Sequence, residues 1–329
     1  MKHAVFFFIG LLFVSNTLQT KKFKEVIIDR EGPKSCWTKT LGDLNGDGKV
    51  DLIVGGNVSG GIVWYEAPGW RKHLISEKTG AGTDAETADM DGDGDIDLVV
   101  IYNHSLILFE NPGWKEHLID PVVLHDIELD DFDGDGLTDI AGRNQAEWGK
   151  GDTLFLFKQY SSGKWEKIKI NIVDGEGLKC SDLNNNGRKD LIINGYWLEN
   201  TGDIYKWNTH RFSDTWNWKN TFIDVGDLNN DGRNDIVMSP SEREGHLYRL
   251  SWFEAPSDPT GLWREHIIRD RIETVVHFVD ACDFNMDGHA DIITAEMKQG
   301  KDPDEVAVYF NQQRGKSWKK EVISTGGSH

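Results

Sequence analysis

Three cysteines in 329 residues, Cys36, Cys180 and Cys282, are too few and too scattered for a disulfide framework or a paired-cysteine metal site. Basic residues are also short: 36 Lys and Arg against 55 Asp and Glu leave a formal charge of −19, which excludes the basic footprint of a nucleic-acid binder. The longest apolar run, Ala4 to Val14, has 11 residues, too few to cross a bilayer, so no membrane span is expected. No segment sustains a helical period, which points to an all-β chain. No nucleophile elbow, phosphate loop or dinucleotide fingerprint is present. What the chain does have is apolar bulk, with 13 Trp and 15 Phe, which excludes disorder, and 35 Gly against 8 Pro, which predicts many turns.

Residues 1–20 join a short basic start (Lys2, His3) to the apolar run and a polar tail, Ser15 to Thr20. That is the build of a signal peptide, with no following cysteine to carry a lipid anchor. The chain is therefore read as exported, periplasmic or extracellular, with residues 21–329 as the mature domain.

Those residues repeat. The pattern D-x-[DN]-x-[DN]-G-x-x-D occurs six times, from Asp43, Asp89, Asp131, Asp182, Asp227 and Asp283, with starts 46, 42, 51, 45 and 56 residues apart. A unit of this length suits a four-stranded propeller blade. A short strand such as Glu86-Thr87-Ala88 precedes each motif, a β-branched strand such as Leu52-Ile53-Val54 follows it, and an alternating strand such as Ile62 to Glu66 comes third. The fourth strand opens with Trp70, Trp114, Trp165, Trp207, Trp263 or Trp318. These strands are named A to D.

The segment from Phe23 has the D pattern without A, B or C strands before it, and Ser324 to His329 resembles the lead-in to another A strand. Together they predict a seven-bladed ring whose last blade is truncated in this sequence; six blades with an extra edge strand is the alternative. The three cysteines fall on the inner strands of different blades and are expected to be buried free thiols.

The motif supplies oxygens at positions 1, 3, 5 and 9, a glycine at 6 for the turn and a backbone carbonyl at 7, the donor set of a calcium cage. The cages are Asp43, Asn45, Asp47, Lys49 and Asp51; Asp89, Asp91, Asp93, Asp95 and Asp97; and Asp131, Asp133, Asp135, Leu137 and Asp139. The later three are Asp182, Asn184, Asn186, Arg188 and Asp190; Asp227, Asn229, Asp231, Arg233 and Asp235; and Asp283, Asn285, Asp287, His289 and Asp291. Up to six Ca²⁺ are expected. The loops at Asp89 and Asp131 offer four carboxylates each and the one at Asp182 only two, so the Asp182 loop should bind weakest.

Motif and strand context together resemble the FG-GAP, or VCBS, repeat family of integrin-alpha-like propellers, over about residues 23 to 329. The resemblance implies a β-propeller with a calcium loop between strands A and B of each blade. It implies no one activity, because relatives include adhesion receptors, secreted lyases and binding proteins. The stretch Trp64 to Trp70 is most similar to the propeller portion of aldos-2-ulose dehydratases, whose cupin part has no counterpart here.

Meander topology puts the A–B and C–D turns on one face and the B–C and D–A loops on the other, where function is expected to concentrate. Nine Trp recur in register and are read as packing. The other four, Trp37, Trp148, Trp216 and Trp218, map to the face away from calcium and suit stacking on a sugar ring. His125 and His277 both lie six residues before their motif, where Trp37, Thr83, Glu176 and Thr221 are the equivalents. Nearby loops add Tyr102, Arg143, Asn144, Tyr196, Glu242, Arg243, Glu296 and Lys298.

Three functions fit this face. It could bind carbohydrate. It could act as a polysaccharide lyase or sugar dehydratase, with His125 or His277 removing a proton, Glu176 beside them and Arg143 offsetting a substrate carboxylate. It could also dock a protein, as an adhesion module does.

Overall fold

Alternating apolar and polar residues, interrupted by Asp-Gly turns, generate 24 short strands in the computed structural model, which describes residues 23–144, 150–161, 163–242, 247–297 and 304–325. Blade one is β1 (Thr38–Gly42), β2 (Asp51–Gly55), β3 (Ile62–Glu66) and β4 (Arg71–Ser76); blade two is β5 (Ala81–Ala88), β6 (Asp97–Tyr102), β7 (Ser105–Glu110) and β8 (Lys115–Asp120). Blade three is β9 (Leu124–Asp130), β10 (Asp139–Asn144), β11 (Thr153–Ser161) and β12 (Lys164–Asn171); blade four is β13 (Lys179–Ser181), β14 (Asp190–Ile193), β15 (Tyr196–Asp203) and β16 (Lys206–Arg211). Blade five is β17 (Thr221–Gly226), β18 (Asp235–Pro240), β19 (Tyr248–Glu254) and β20 (Arg264–Ile272); blade six is β21 (Val276–Cys282), β22 (Asp291–Glu296), β23 (Val306–Gln312) and β24 (Ser317–Ser324). Each set forms one antiparallel four-stranded sheet in sequence order, so the A-to-D reading holds in all six repeats.

The described residues form six blades, not the seven that the ends of the sequence predict. The segment from Phe23 forms no strand: among the described residues no C strand lies alongside to satisfy its backbone hydrogen bonds. It is tied to blade one instead, where the Tyr65 hydroxyl donates to Asp29 Oδ2 at 2.9 Å and Lys72 Nζ at 3.0 Å.

The ninth motif residue carries the architecture. Asp51, Asp97, Asp139, Asp190, Asp235 and Asp291 open the B strands and are all fully buried. In each, one carboxylate oxygen accepts the N–H at the end of strand C, from Ala67, Asn111, Gln159, Asn200, Ala255 and Asn311 at 2.8–2.9 Å. In the first five repeats the other oxygen accepts the N–H of the second motif residue, as Leu44 shows at 3.1 Å. One buried carboxylate thus locks each loop to the sheet behind it.

Side chains at the end of strand C then reach the preceding blade: Asn111 donates to Leu44 O, Gln159 to Met90 O, Asn200 to Phe132 O and Asn311 to Leu228 O, at 2.7–2.9 Å. The apolar interior divides into five clusters, one at each junction between consecutive blades from one to six.

Eight of the nine recurrent Trp lie in or against the apolar clusters, Trp70 being half-buried outside them; Trp64, Trp197 and Trp252 stack on His73, His210 and His266, each of which pairs with a C-strand glutamate. All three cysteines are free, but the expectation of burial fails for Cys282, which is exposed, and Cys36 and Cys180 are half-buried. Cys282 lies on β21, and among the described residues no blade packs on that strand's outer side as closely as β17 packs on its inner side.

Candidate functional site

The six Asp loops share one geometry. The first Asp accepts the N–H of the glycine at position 6 at 2.7–3.0 Å in every loop, and the residue at position 7 donates its N–H to the side chain at position 5 at 2.9–3.0 Å. Positions 4 and 6 are left-handed throughout, held by Gly46, Gly92, Gly134, Asn185, Asn230 and Met286 at position 4. Such a turn points side chains 1, 3, 5 and 9 inward. In loop two one oxygen each of Asp89, Asp91 and Asp97 lies within 4.8 Å of the others, and in loop three the same holds for Asp131, Asp133 and Asp139. Buried oxygens of Asp95, Asn229, Asn285 and Asp291 have no hydrogen-bond partner. Clustered, partly orphaned oxygens fit a hard cation such as calcium. Burial pushes Asp97 up to about 6 and Asp139 and Asp235 to about 7, and a cation among the loop oxygens would hold them ionised.

On the opposite face the starts of the A strands form the channel mouth. His125 of blade three reaches Asp126 Oδ1 through Nδ1 at 3.1 Å, and its Nε2 stands 4.0 Å from Glu176 Oε1 of blade four. His277 of blade six places Nε2 3.9 Å from Glu242 Oε1 of blade five, with the Phe222 ring at 5.5 Å. Both imidazoles are half-buried. Burial works against the charged His125 ring, but Asp126, Glu176 and Asp84 outweigh it and lift His125 to about 9. At neutral pH His125 therefore holds its proton. In that form both ring nitrogens donate hydrogen bonds.

Several sequence-predicted residues lie elsewhere than expected. Arg143 is fully buried: it donates to the carbonyls of Gly151, Gly177 and Val173 and to Asn194 Oδ1 at 2.7–3.2 Å, so it binds blade three to blade four and cannot meet a substrate. Trp216 is buried in the core between blades four and five and donates to Thr221 Oγ1. Tyr102 is buried, its hydroxyl donating to Thr79 O, and buried Glu296 pairs with Arg269. Glu176 is also buried, accepting from Ser241 Oγ, although it faces His125. In each case the side chain satisfies neighbouring backbone or packs beneath a loop, which sequence spacing does not reveal.

Trp37 is 47% exposed, Trp218 half-buried beneath the Arg249 guanidinium, Tyr196 half-buried beside Arg211, and Asn144 accepts the Thr153 N–H. Trp148, Arg243, Lys298 and residues 1–20 lie outside the described residues. Sequence reasoning missed Asp126 and Arg249. Asp126 had a signal in its place next to His125; Arg249 had none, because blade-to-blade distances are not encoded in spacing.

Residues 43–113 and 182–238 match the family model described as an FG-GAP-like repeat. The matched stretches hold the first, second, fourth and fifth Asp loops. No curated protein matches the sequence.

Among solved structures, the chain is similar to a lectin of Agrocybe aegerita, described with recognition of non-reducing terminal N-acetylglucosamine, at 17% identity over 88% of this chain and 80% of that one, TM-score 0.56. It is also similar to Aleuria aurantia lectin in complex with Fucα1-6GlcNAc, at 16% identity over 85% and 93%, TM-score 0.49. A third is the Vibrio cholerae biofilm matrix protein Bap1, at 17% identity over 92% and 55%, TM-score 0.46. At these identities only the fold is shared. No helix among the described residues is long and apolar enough to cross a membrane.

Proposed function

We propose that the protein is an exported propeller, held by calcium in its Asp loops, that binds carbohydrate at the channel mouth on the opposite face. The observation that carries this reading is the rim itself. Two imidazole–carboxylate pairs, His125 with Glu176 and His277 with Glu242, each bridge two blades at a rigid, half-exposed mouth, with exposed Trp37 at the equivalent place on blade one. Fixed donors and acceptors beside aromatic faces suit sugar hydroxyls and ring faces. The Agrocybe aegerita lectin, with which the fold is shared, is itself a sugar-recognising protein.

The test is calorimetric titration of the calcium-loaded protein with neutral and uronate oligosaccharides, comparing His277→Ala and Trp37→Ala. Saturable binding lost in both variants supports the reading; glycan binding that neither variant alters, or none at all, overturns it. Following ultraviolet absorbance for a new C=C in the same mixtures separates binding from lyase chemistry.

A further inference from the structure

Position 3 of the Asp loops is filled in two ways: by Asp91 and Asp133 in loops two and three, and by Asn45, Asn184, Asn229 and Asn285 in the other four. The difference is chemical. A carboxylate presents an oxygen to a cation whichever way it turns, whereas an amide has one oxygen and one donor end, and only the oxygen ligates. A loop with asparagine therefore gains from a group that holds the amide the right way round.

Strand C ends beside this position. In blade three the residue before Gln159 is Lys158, whose ammonium meets Asp133 at position 3 and Asp135 at position 5, so a side chain from this place reaches the loop. In blade four the same place holds Glu199, and the loop holds Asn184. Glu199 Oε1 accepts from Asn184 Nδ2 at 3.3 Å, which leaves Asn184 Oδ1 on the loop side, where it accepts the Asn186 N–H at 3.2 Å. Glu199 is itself held, because its other oxygen, Oε2, pairs with Asn208 Nδ2 and His210 Nε2 of β16, each at 3.0 Å. The outer sheet of blade four thus sets the direction of one loop amide.

Blade six is the contrast. There Phe310 stands in the same place and offers no acceptor. Asn285 Nδ2 turns instead to Asp287 Oδ2 at 2.9 Å, engaging a carboxylate of its own loop, and Asn285 Oδ1 is buried without a hydrogen-bond partner.

We propose that Glu199 is a positioning residue of the fourth Asp loop, fixing the Asn184 amide with its oxygen toward the cation. The proposal rests on the calcium reading of the loops. It also corrects the ranking by carboxylate count, which places this loop last because Glu199 lies 15 residues beyond Asn184, outside the motif. Groups that orient a ligand in this way typically carry about tenfold or more of the metal affinity.

The test follows the Gly187 amide, which donates to Asp182 Oδ2 at 2.8 Å, by NMR as calcium is added to the whole, calcium-stripped protein, with the Gly136 amide of loop three as the reference. Glu199→Leu should weaken the calcium response of Gly187 by about tenfold and leave that of Gly136 unchanged, while Glu199→Gln, which keeps an acceptor, should retain most of the affinity. In an Asn184→Asp background, where either oxygen serves, Glu199→Leu should cost little or nothing. A role in folding or through charge alone would cost the same in both backgrounds, and that result would overturn the proposal. So would a loss in Glu199→Gln as large as in Glu199→Leu, a Gly187 response that Glu199→Leu leaves untouched, or a wild-type Gly187 that ignores calcium while Gly136 responds. If no loop glycine responded to calcium, the calcium reading would fall and the proposal with it.

Discussion

Lys158 places its ammonium between Asp133 and Asp135, the third and fifth residues of the third Asp loop, 2.8 Å from Asp135 Oδ2. It occupies the position that Glu66, Glu110, Glu199 and Glu254 hold in other blades, and it is only 9% exposed. By carboxylate count loops two and three are equal, but loop three carries its own counter-charge, and among the described residues no lysine or arginine pairs with loop two. Lys158→Met should therefore raise calcium affinity at loop three by roughly tenfold, the equivalent of about 1.4 kcal/mol, and leave loop two unchanged. Calorimetry of wild type and variant would show this as one tightened class of sites; identical isotherms would mean that the lysine does not compete.

The central channel fixes a pH dependence. Asp84 and Asp224 are pushed up to about 7 and Glu86 to about 9, in each case by burial first and by neighbouring carboxylates second, Asp224's against the pull of Lys179. Groups with raised folded pKa bind protons more tightly in the native state, so between their unfolded values near about 4 and these folded values stability falls as pH rises. His125, lifted to about 9, contributes stability that is full below about 6.5 and lost as pH passes 9, in the same direction. With calcium held in excess, the melting temperature should be higher at pH 6 than at pH 9, and Glu86→Gln should flatten the slope. A melting temperature that rose across this window would contradict the assignment.

Much of this was legible in the sequence, and the reason is repetition. Six copies of Asp at motif positions 1 and 9, with Trp at the head of strand D, set the strand order within each repeat, and the structure follows it from Thr38 to Ser324, with six blades among the described residues in place of the seven expected. The exceptions are side chains whose role depends on the blade next door. Arg143 and Glu176 look like exposed chemistry in one dimension; both are buried where blades three, four and five meet. The segment from Phe23 shows the converse, since a strand pattern becomes a strand only when another strand pairs with it.

Arg143 makes a structural prediction of its own. Burial lowers its pKa to about 10 against the opposing pull of Asp126, Glu176 and Asp174, and its planar fork serves three backbone carbonyls and Asn194 at once. A lysine carries the charge but not the fork. Arg143→Lys should lose about 2–4 kcal/mol in urea unfolding, because carbonyls at the junction of blades three and four are left unpaired. A variant as stable as wild type would return Arg143 to the pool of candidate functional residues.

Met286 offers the opposite sign. Every Asp loop needs a left-handed residue at position 4, and five use Gly or Asn, while Met286 adopts φ 62° with its side chain 81% exposed. A methionine gains nothing from burial there, and the left-handed conformation costs an ordinary L-residue about 1–2 kcal/mol, less for asparagine, whose short side chain bonds locally. Asn185 and Asn230 show that the loop accepts asparagine at this position. Met286→Asn should therefore stabilise the protein by about 0.5–1 kcal/mol. Because Phe284 and Asn285 precede it in the same loop, the gain should also appear as tighter calcium binding at the sixth site, measured by titration beside wild type. A loss of stability would show that the Met286 side chain covers something beyond this loop.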